Sequence, residues 1–351
     1  MEIDRKLASI RQIRDLQPIK GADNIECATV DGWKVVVRKG EFFVGELVVY
    51  LEIDSWVPTA VAPFLQRGHA TKMFKGVEGN RLRTVKLRGQ VSQGLILSLS
   101  PYNVRIDDDM TEKLGILQWE PEQAAPGMQG EPKGNFPHFL VKTDQPRIQN
   151  VWDDVRHTIG LFEVTEKLDG SSMTVYYRNA FRPVEQPPEF GVCSRNVDLK
   201  ETDGNAFWDM ANFYGLREKM FNLDRNLAIQ GELIGPGIQG NPYKLSKRCF
   251  CVYDIWDINR QQYMPATERD RLTRELELPH VPMYGARSLT RLDTTTGVYR
   301  QAVELEELLS QANGPSYVGL GAIREGIVFK SIENPFVSFK VISNEFLLKD
   351  K

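Results

Sequence analysis

Over the first hundred positions, short apolar runs alternate with polar residues, and turn-forming residues separate the runs. Residues 28–37 place Asp31-Gly32 between two β-branched stretches, the two-residue signature of a hairpin. Residues 45–53 and 94–99 supply two further strand candidates. Several short strands packed so closely predict a small β-barrel. Residues 118–137 are rich in Gln, Pro, Gly and Glu, show no period, and read as a linker. Beyond them strand and helix patterns mix. Residues 161–165 are strand-like, and 203–220 carry Phe207, Trp208, Met210, Ala211, Phe213, Tyr214 and Leu216 on one helical face. Residues 267–278 and 302–312 fit amphipathic helices, and 182–189 fit a loop between strands. The predicted division is 1–117 for the barrel, 118–137 for the linker and 138–351 for an α+β domain.

Composition narrows the functional classes. A chain of 351 residues, 41% hydrophobic and 26% charged, is soluble, globular and long enough for two domains. No apolar stretch approaches the roughly 18 residues of a membrane span, and the first residues lack the apolar core of a secretory signal. Cys249 and Cys251 share one face of a strand predicted over 249–255; with Cys27 and Cys193 they read as core thiols of an intracellular, reducing compartment. A formal net charge of −3 excludes a uniformly basic coat. Between positions 66 and 90, however, Arg67, Lys72, Lys75, Arg81, Arg83, Lys86 and Arg88 stand against the single acid Glu78. Such a local patch suits phosphates.

The chemistry lies in an ordered set of motifs. Glu166-Lys167-Leu168-Asp169-Gly170 comes first, then Ser194-Arg195-Asn196, Gln230-Gly231-Glu232, Phe250-Cys-Val-Tyr-Asp254, Glu325-Gly326-Ile327-Val328 and Ser338-Phe339-Lys340-Val341. Taken singly, each is a turn or a solvated strand. The order resembles that of the covalent nucleotidyltransferases, which comprise DNA ligases, RNA ligases and mRNA-capping enzymes. A lysine attacks the α-phosphorus of ATP only when its amine is uncharged, which calls for a depressed pKa. Charge then grows on phosphate oxygens, so the site needs Lys, Arg and a Mg²⁺ or Mn²⁺ ion whose waters are held by carboxylates.

Within that superfamily the chain resembles the RNA ligases that carry an OB-like domain before the transferase domain (RNA ligase family five). The resemblance rests on Phe136-Pro-His-Phe-Leu-Val-Lys-Thr-Asp-Gln-Pro-Arg-Ile-Gln-Asn, on Gly231-Glu-Leu-Ile-Gly-Pro-Gly-Ile-Gln-Gly-Asn-Pro-Tyr-Lys-Leu and on Arg81-Leu-Arg-Thr-Val-Lys-Leu-Arg-Gly-Gln-Val-Ser-Gln-Gly-Leu. Residues 21–32 are similar to the opening of OB-type tRNA-binding modules. The chain ends soon after Lys340, whereas DNA ligases and capping enzymes generally place the OB domain last. The implied fold is α+β: an amino-terminal OB-like β-barrel followed by an antiparallel-sheet-rich nucleotidyltransferase (ATP-grasp-like ligase) domain.

The resemblance implies the following roles. Lys167 accepts AMP. Glu166, by side chain or backbone, and Gly170 adjoin the nucleotide. Arg195 contacts the ribose or the 5′-phosphate end. Asp169, Glu232 and Glu325 contact ribose or hold metal-bound waters, and Lys340 contacts the α-phosphate. Phe250 is a candidate for stacking on adenine, with its neighbours as alternatives. Arg147 and Gln149 lie near the nucleotide or the nick, and Lys244 joins the basic patch in holding nucleic acid. Ser338 departs from the usual Lys-x-Lys, so that one phosphate contact is missing or comes from Lys330. The expected substrate is a nicked RNA or RNA/DNA duplex, sealed by a monomer during RNA repair. A capping-type guanylyltransferase, a DNA ligase and a non-catalytic nucleic-acid binder are the alternatives.

Overall fold

The computed structural model describes residues 5–66, 72–99, 104–120, 130–179 and 188–349. The chain divides into two compact units. The smaller comprises residues 3–122, joined by 148–153 and 347–351. Its strands are Ala8–Pro18 (β1), Ile25–Val30 (β2), Trp33–Arg38 (β3), Leu47–Leu51 (β4), Ser55–Pro58 (β5), Lys72–Phe74 (β6), Val77–Arg81 (β7), Val85–Leu87 (β8), Gln90–Ser92 (β9), Leu95–Ser98 (β10) and Leu117–Gln118 (β11).

An antiparallel sheet runs β10-β4-β1-β2-β3. The predicted hairpin is present: Val30 pairs with Trp33 across Asp31-Gly32, and Asp31 takes the left-handed conformation (φ 48°) that a two-residue turn demands. A register shift between Ile13 and Asp15 bends the long β1 as it passes from β4 to β2. Residues around β9 return to β3, where Val36 N donates to Ser92 Oγ and Gln93 N donates to Lys34 O. The sheet therefore curls into the OB-type half-barrel around Ile13, Val30, Trp33, Val48, Tyr50 and Ile96. Trp33 is fully buried yet satisfied, because its indole N–H donates to Asn150 Oδ1 at 2.7 Å. Asn150 belongs to the helix Ile148–Val155 (α1), whose first residues group with this unit.

The larger unit comprises residues 123–147 and 154–346, with Met1–Glu2. Its strands are Pro132–Asn135 (β12), Phe162–Lys167 (β13), Ser171–Arg178 (β14), Glu189–Cys193 (β15), Val197–Leu199 (β16), Leu227–Ile234 (β17), Cys249–Asp257 (β18), Gln262–Tyr263 (β19), Met283–Arg287 (β20), Thr290–Asp293 (β21), Val298–Gln301 (β22), Gly326–Ser331 (β23) and Ser338–Ile342 (β24). They form a seven-stranded sheet, β12-β16-β15-β14-β17-β18-β19, a four-stranded sheet, β20-β13-β23-β24, and the hairpin β21-β22. The stretch expected to be linker is strand at both ends: Gln118 closes β11 and β12 pairs with β16.

Helices Ala206–Phe213 (α2), Leu216–Leu223 (α3) and Ala266–Glu275 (α4) cover one face of the larger sheet. The apolar face predicted over 203–220 belongs to two helices, not one, because Gly215 adopts φ 62° between them. Asn205 caps α2 by accepting from Phe207 N and Trp208 N. The helix expected over 302–312 starts later, as Leu305–Ala312 (α5), because Glu304 is extended. Among the described residues no helix is long and apolar enough to cross a membrane.

Candidate active site

Strand alternation sorts the motif residues onto two faces that meet within the larger unit. On the seven-stranded sheet Ser172 pairs with Glu232 and Glu232 with Cys251, so all three share a face. The register shifts where Gln230 pairs with Asp254 and Gly231 with Val252, which leaves Tyr253 as an extra residue. This bulge brings Asp254 onto the face of Glu232 instead of the opposite one. On the four-stranded sheet the ladder aligns Lys167 with Gly326, Glu163 with Lys330 and Lys330 with Ser338, with Lys340 one step further along. Lys330 spans the two sheets through an ion pair with Asp254, both nearly buried. Two motif glycines are steric necessities. A Cβ at Gly170 would lie 2.4 Å from Leu233 O, and one at Gly231 would lie 2.4 Å from Cys251 O.

Lys167 ends β13 with its Nζ 2.6 Å from Glu325 Oε2. Burial presses the amine's pKa down, but Glu325, Glu232 and Asp169 together outweigh burial, and the ammonium is held above the usual lysine range. The depressed pKa expected for the attacking lysine is therefore absent from the protein alone. Glu232 shows the other side of the same crowding. Burial first, then Glu325 and Asp169, push its carboxyl up to about 8, against the pull of Lys167. With Glu232 largely protonated near neutral pH, Asp169 and Glu325 around one ammonium still leave a surplus of negative charge, which a divalent cation would offset. Among the described residues no three such side chains converge as direct ligands; Mg²⁺ keeps several of its waters, and carboxylates of this kind suit holding those waters.

A second charged group flanks the first. Arg195, in the turn between β15 and β16, donates twice to Asp144 at 2.8 and 2.7 Å. Burial raises the Asp144 carboxyl, but Arg195, Lys340 and Lys167 pull it below the ordinary range. Lys340 N donates to Pro146 O, and Arg147 bridges alongside Lys340. The segment 139–147 crosses both sheets. Phe139 O accepts from Trp256, Val141 O from Gln230, and Thr143 Oγ1 from the Tyr253 hydroxyl.

Other expectations are redirected. Phe250 is completely buried in the core beneath α2–α4, on the face away from Lys167, so it does not stack in this cleft. Tyr253 faces the cleft instead, with its hydroxyl between Thr143 and Ser172. The Glu166 carboxylate is engaged by Ser316 Oγ, Tyr317 N and the Tyr284 hydroxyl, and its backbone N–H donates to Pro282 O at 2.8 Å. Asp169 N donates to the buried Tyr243 hydroxyl at 2.6 Å. Gln149 is buried in the part of α1 that groups with the smaller unit. Lys244 is exposed in a turn. In the basic patch Lys72, Lys75, Arg83, Lys86 and Arg88 are exposed. Arg81 is not free for phosphate: it pairs with Asp54 at 2.7 Å and covers the Trp119 ring at 3.6 Å. Arg67 lies outside the described residues.

Tyr253 stood among the neighbours of Phe250 left open by the sequence, whereas Tyr243 and Asp144 were not singled out. Simple alternation from Cys251 already pointed to Tyr253, while nothing local marked the other two.

A cleft between two antiparallel sheets, with a lysine among acids and a preceding OB half-barrel, defines a nucleotidyltransferase of the ligase type. An OB-fold domain model matches residues 7–99 and an RNA ligase model matches residues 160–342. The chain belongs to the RNA ligase family. It is 41% identical to Naegleria gruberi RNA ligase, whose mutant form with ATP and Mn aligns with TM-score 0.86 over 98% of this chain and 99% of that one. The same ligase with PPi aligns with TM-score 0.85 over 99% of each chain. No curated protein sequence matches.

Proposed function

We propose that this protein is an ATP-dependent RNA ligase that seals 3′-hydroxyl/5′-phosphate nicks through a lysyl-AMP intermediate. The supporting observation is Lys167 Nζ held 2.6 Å from Glu325 in a three-carboxylate cluster facing Lys340 and Arg195. First, Lys167 gives up its proton to solvent once a bound divalent ion would offset the carboxylates that hold the ammonium; the free amine attacks the α-phosphorus of ATP and pyrophosphate leaves. AMP then passes from Lys167 to the 5′-phosphate of the nick. Finally the 3′-hydroxyl attacks that activated phosphate and AMP leaves. Lys340 and Arg195 hold the phosphate oxygens on which charge grows. Asp169, Glu232 and Glu325 would hold the waters of a Mg²⁺ or Mn²⁺ ion, which when bound neutralises part of that charge. In this reading Tyr253, on the cleft face beside Thr143 and Ser172, lies against the base, and the exposed lysines and arginines of the smaller unit suit the duplex backbone.

Labelled ATP or GTP, offered separately with Mn²⁺ to wild type and Lys167→Ala, tests the reading. AMP should become bound to the wild type alone, and sealing should tolerate DNA on the 5′-phosphate side better than on the 3′-hydroxyl side. Transfer of GMP without AMP would identify a capping-type enzyme. Equal sealing of all-DNA nicks would point to a DNA ligase.

A further inference from the structure

Two thiols that the ligation chemistry does not use sit at the edge of this cleft. Cys249 and Cys251 project from the same face of β18, with their Sγ atoms 3.4 Å apart. Cys249 is partly exposed and lies 3.9 Å from the Tyr214 hydroxyl, while Cys251 is buried. Cys251 is the ladder partner of Glu232 and packs with Leu168 and Tyr243, which flank Lys167 and Asp169. We infer that Cys249 and Cys251 form a peroxide-responsive thiol pair whose disulfide shuts off adenylylation of Lys167.

The sulfurs must approach by about 1.4 Å to reach a bond length of about 2.05 Å, and because residues i and i+2 of a strand stand about 6.5 Å apart, closing the bond also bends β18. Hydrogen bonds from Cys251 and Tyr214 outweigh burial and draw the Cys249 thiol below its ordinary range, which favours its thiolate, while the same bond and burial hold Cys251 protonated until it reacts. In the first step the Cys249 thiolate attacks one peroxide oxygen. The O–O bond breaks, Cys249 becomes a sulfenic acid and hydroxide departs. Cys251 sulfur then attacks Cys249 sulfur, the S–O bond breaks, and the Cys251 proton leaves with that oxygen as water. Overall, two thiols lose two electrons and two protons, and peroxide is reduced to two waters. Closing the bond pulls Cys251 from its place beside Glu232 and Leu168. A shift of about 1 Å at reacting groups costs on the order of 100-fold in rate.

The consequence for catalysis rests on the proposed function, but the thiol chemistry can be read without it. The full chain is treated with hydrogen peroxide, alkylated with N-ethylmaleimide and mapped by mass spectrometry, in parallel with AMP labelling. The expected product is a 249–251 peptide lighter by two hydrogen atoms and closed to alkylation. Labelling should fall on the order of 100-fold and recover with dithiothreitol. Cys251→Ser should trap a dimedone-reactive sulfenic acid at Cys249, and Cys249→Ser should keep its labelling under peroxide. Failure of the wild type to form the disulfide, a disulfide with undiminished labelling, or peroxide inactivation that persists in Cys249→Ser would overturn the inference. If untreated protein never labels yet the disulfide forms, the proposed function fails while the thiol pair stands.

Discussion

Arg269 gives the sharpest test of how the cleft is held together. Its guanidinium, on α4, donates to Glu163 Oε2 at 2.7 Å, to Asp270 Oδ1 and to the carbonyl of Tyr253. Glu163 lies on the same strand face as Lys167, and Tyr253 is the bulged residue of β18, so one side chain ties the lysine strand to the bulge. The Arg269 and Glu163 side chains are only 3% and 9% exposed, so removing one partner strands the other charge out of water. Arg269→Met should therefore cost about 3–5 kcal/mol, a fall in Tm of roughly 6–20 °C for a unit of this size.

The double variant Glu163→Leu/Arg269→Met removes both charges and should recover at least half of that loss, because a buried pair contributes little net stability over apolar packing. Arg269→Lys should not rescue, since a single ammonium cannot serve a carboxylate and a carbonyl in fork geometry. Urea unfolding followed by tryptophan fluorescence measures each variant; Trp208 and Trp256 report on this unit and Trp33 on the other. A cost for Arg269→Met below about 1 kcal/mol, or a double variant as unstable as the two single losses added, would refute the reasoning.

Three further outcomes follow from the same structure. Phe250→Ala should lose about 3–5 kcal/mol of stability, whereas Tyr253→Ala should mainly raise KM for ATP, by about tenfold for one lost stacking contact; thermal melts beside AMP-labelling kinetics separate the two. Glu232 holds its carboxyl near 8 in the fold against 4.5 in the free chain, so folding takes up a proton between those values and stability falls as pH rises through that window. Glu232→Gln cannot ionise, so without divalent ions it should match wild type near about pH 4 and exceed it near about pH 9 in urea midpoints. Lys86→Ala/Arg88→Ala should weaken binding to nicked duplex and lower the slope of log affinity against log salt by about 2, with AMP labelling of Lys167 unchanged.

Periodicity and turn chemistry made the strands of the half-barrel readable, because Asp31-Gly32 and the β-branched runs act locally. The motif residues were readable because of their order along the chain; Lys167 ends β13 and Arg195 sits in a turn, while Glu232, Asp254 and Lys340 lie inside strands. What escaped depends on tertiary register. Alternation from Cys251 separates Tyr253 from Phe250, but only the bulge opposite Gly231 explains why Asp254 reaches the cleft as well. Gly215 interrupts a continuous apolar helical face, a break that hydrophobic spacing alone does not register. The electrostatics of Lys167 depended on Glu232 and Glu325, both distant in sequence, so the sign of its pKa shift lay outside any local reading.

Ser338 shows the same limit from the other direction. Matching motifs position by position, the serine is a missing lysine. In the ladder, Ser338 stands directly across from Lys330, whose ammonium already reaches Asp254 on the facing sheet. A lysine at both positions would set two like charges side by side on neighbouring strands, which destabilises a sheet pair. At this rung the ladder carries one cation, Lys330 on β23. Ser338→Lys should therefore add no phosphate affinity while Lys330 remains, and should restore KM for ATP only in a Lys330→Ser background. Equal gains in both backgrounds would show that the two positions act independently and that the motif's first lysine is absent after all.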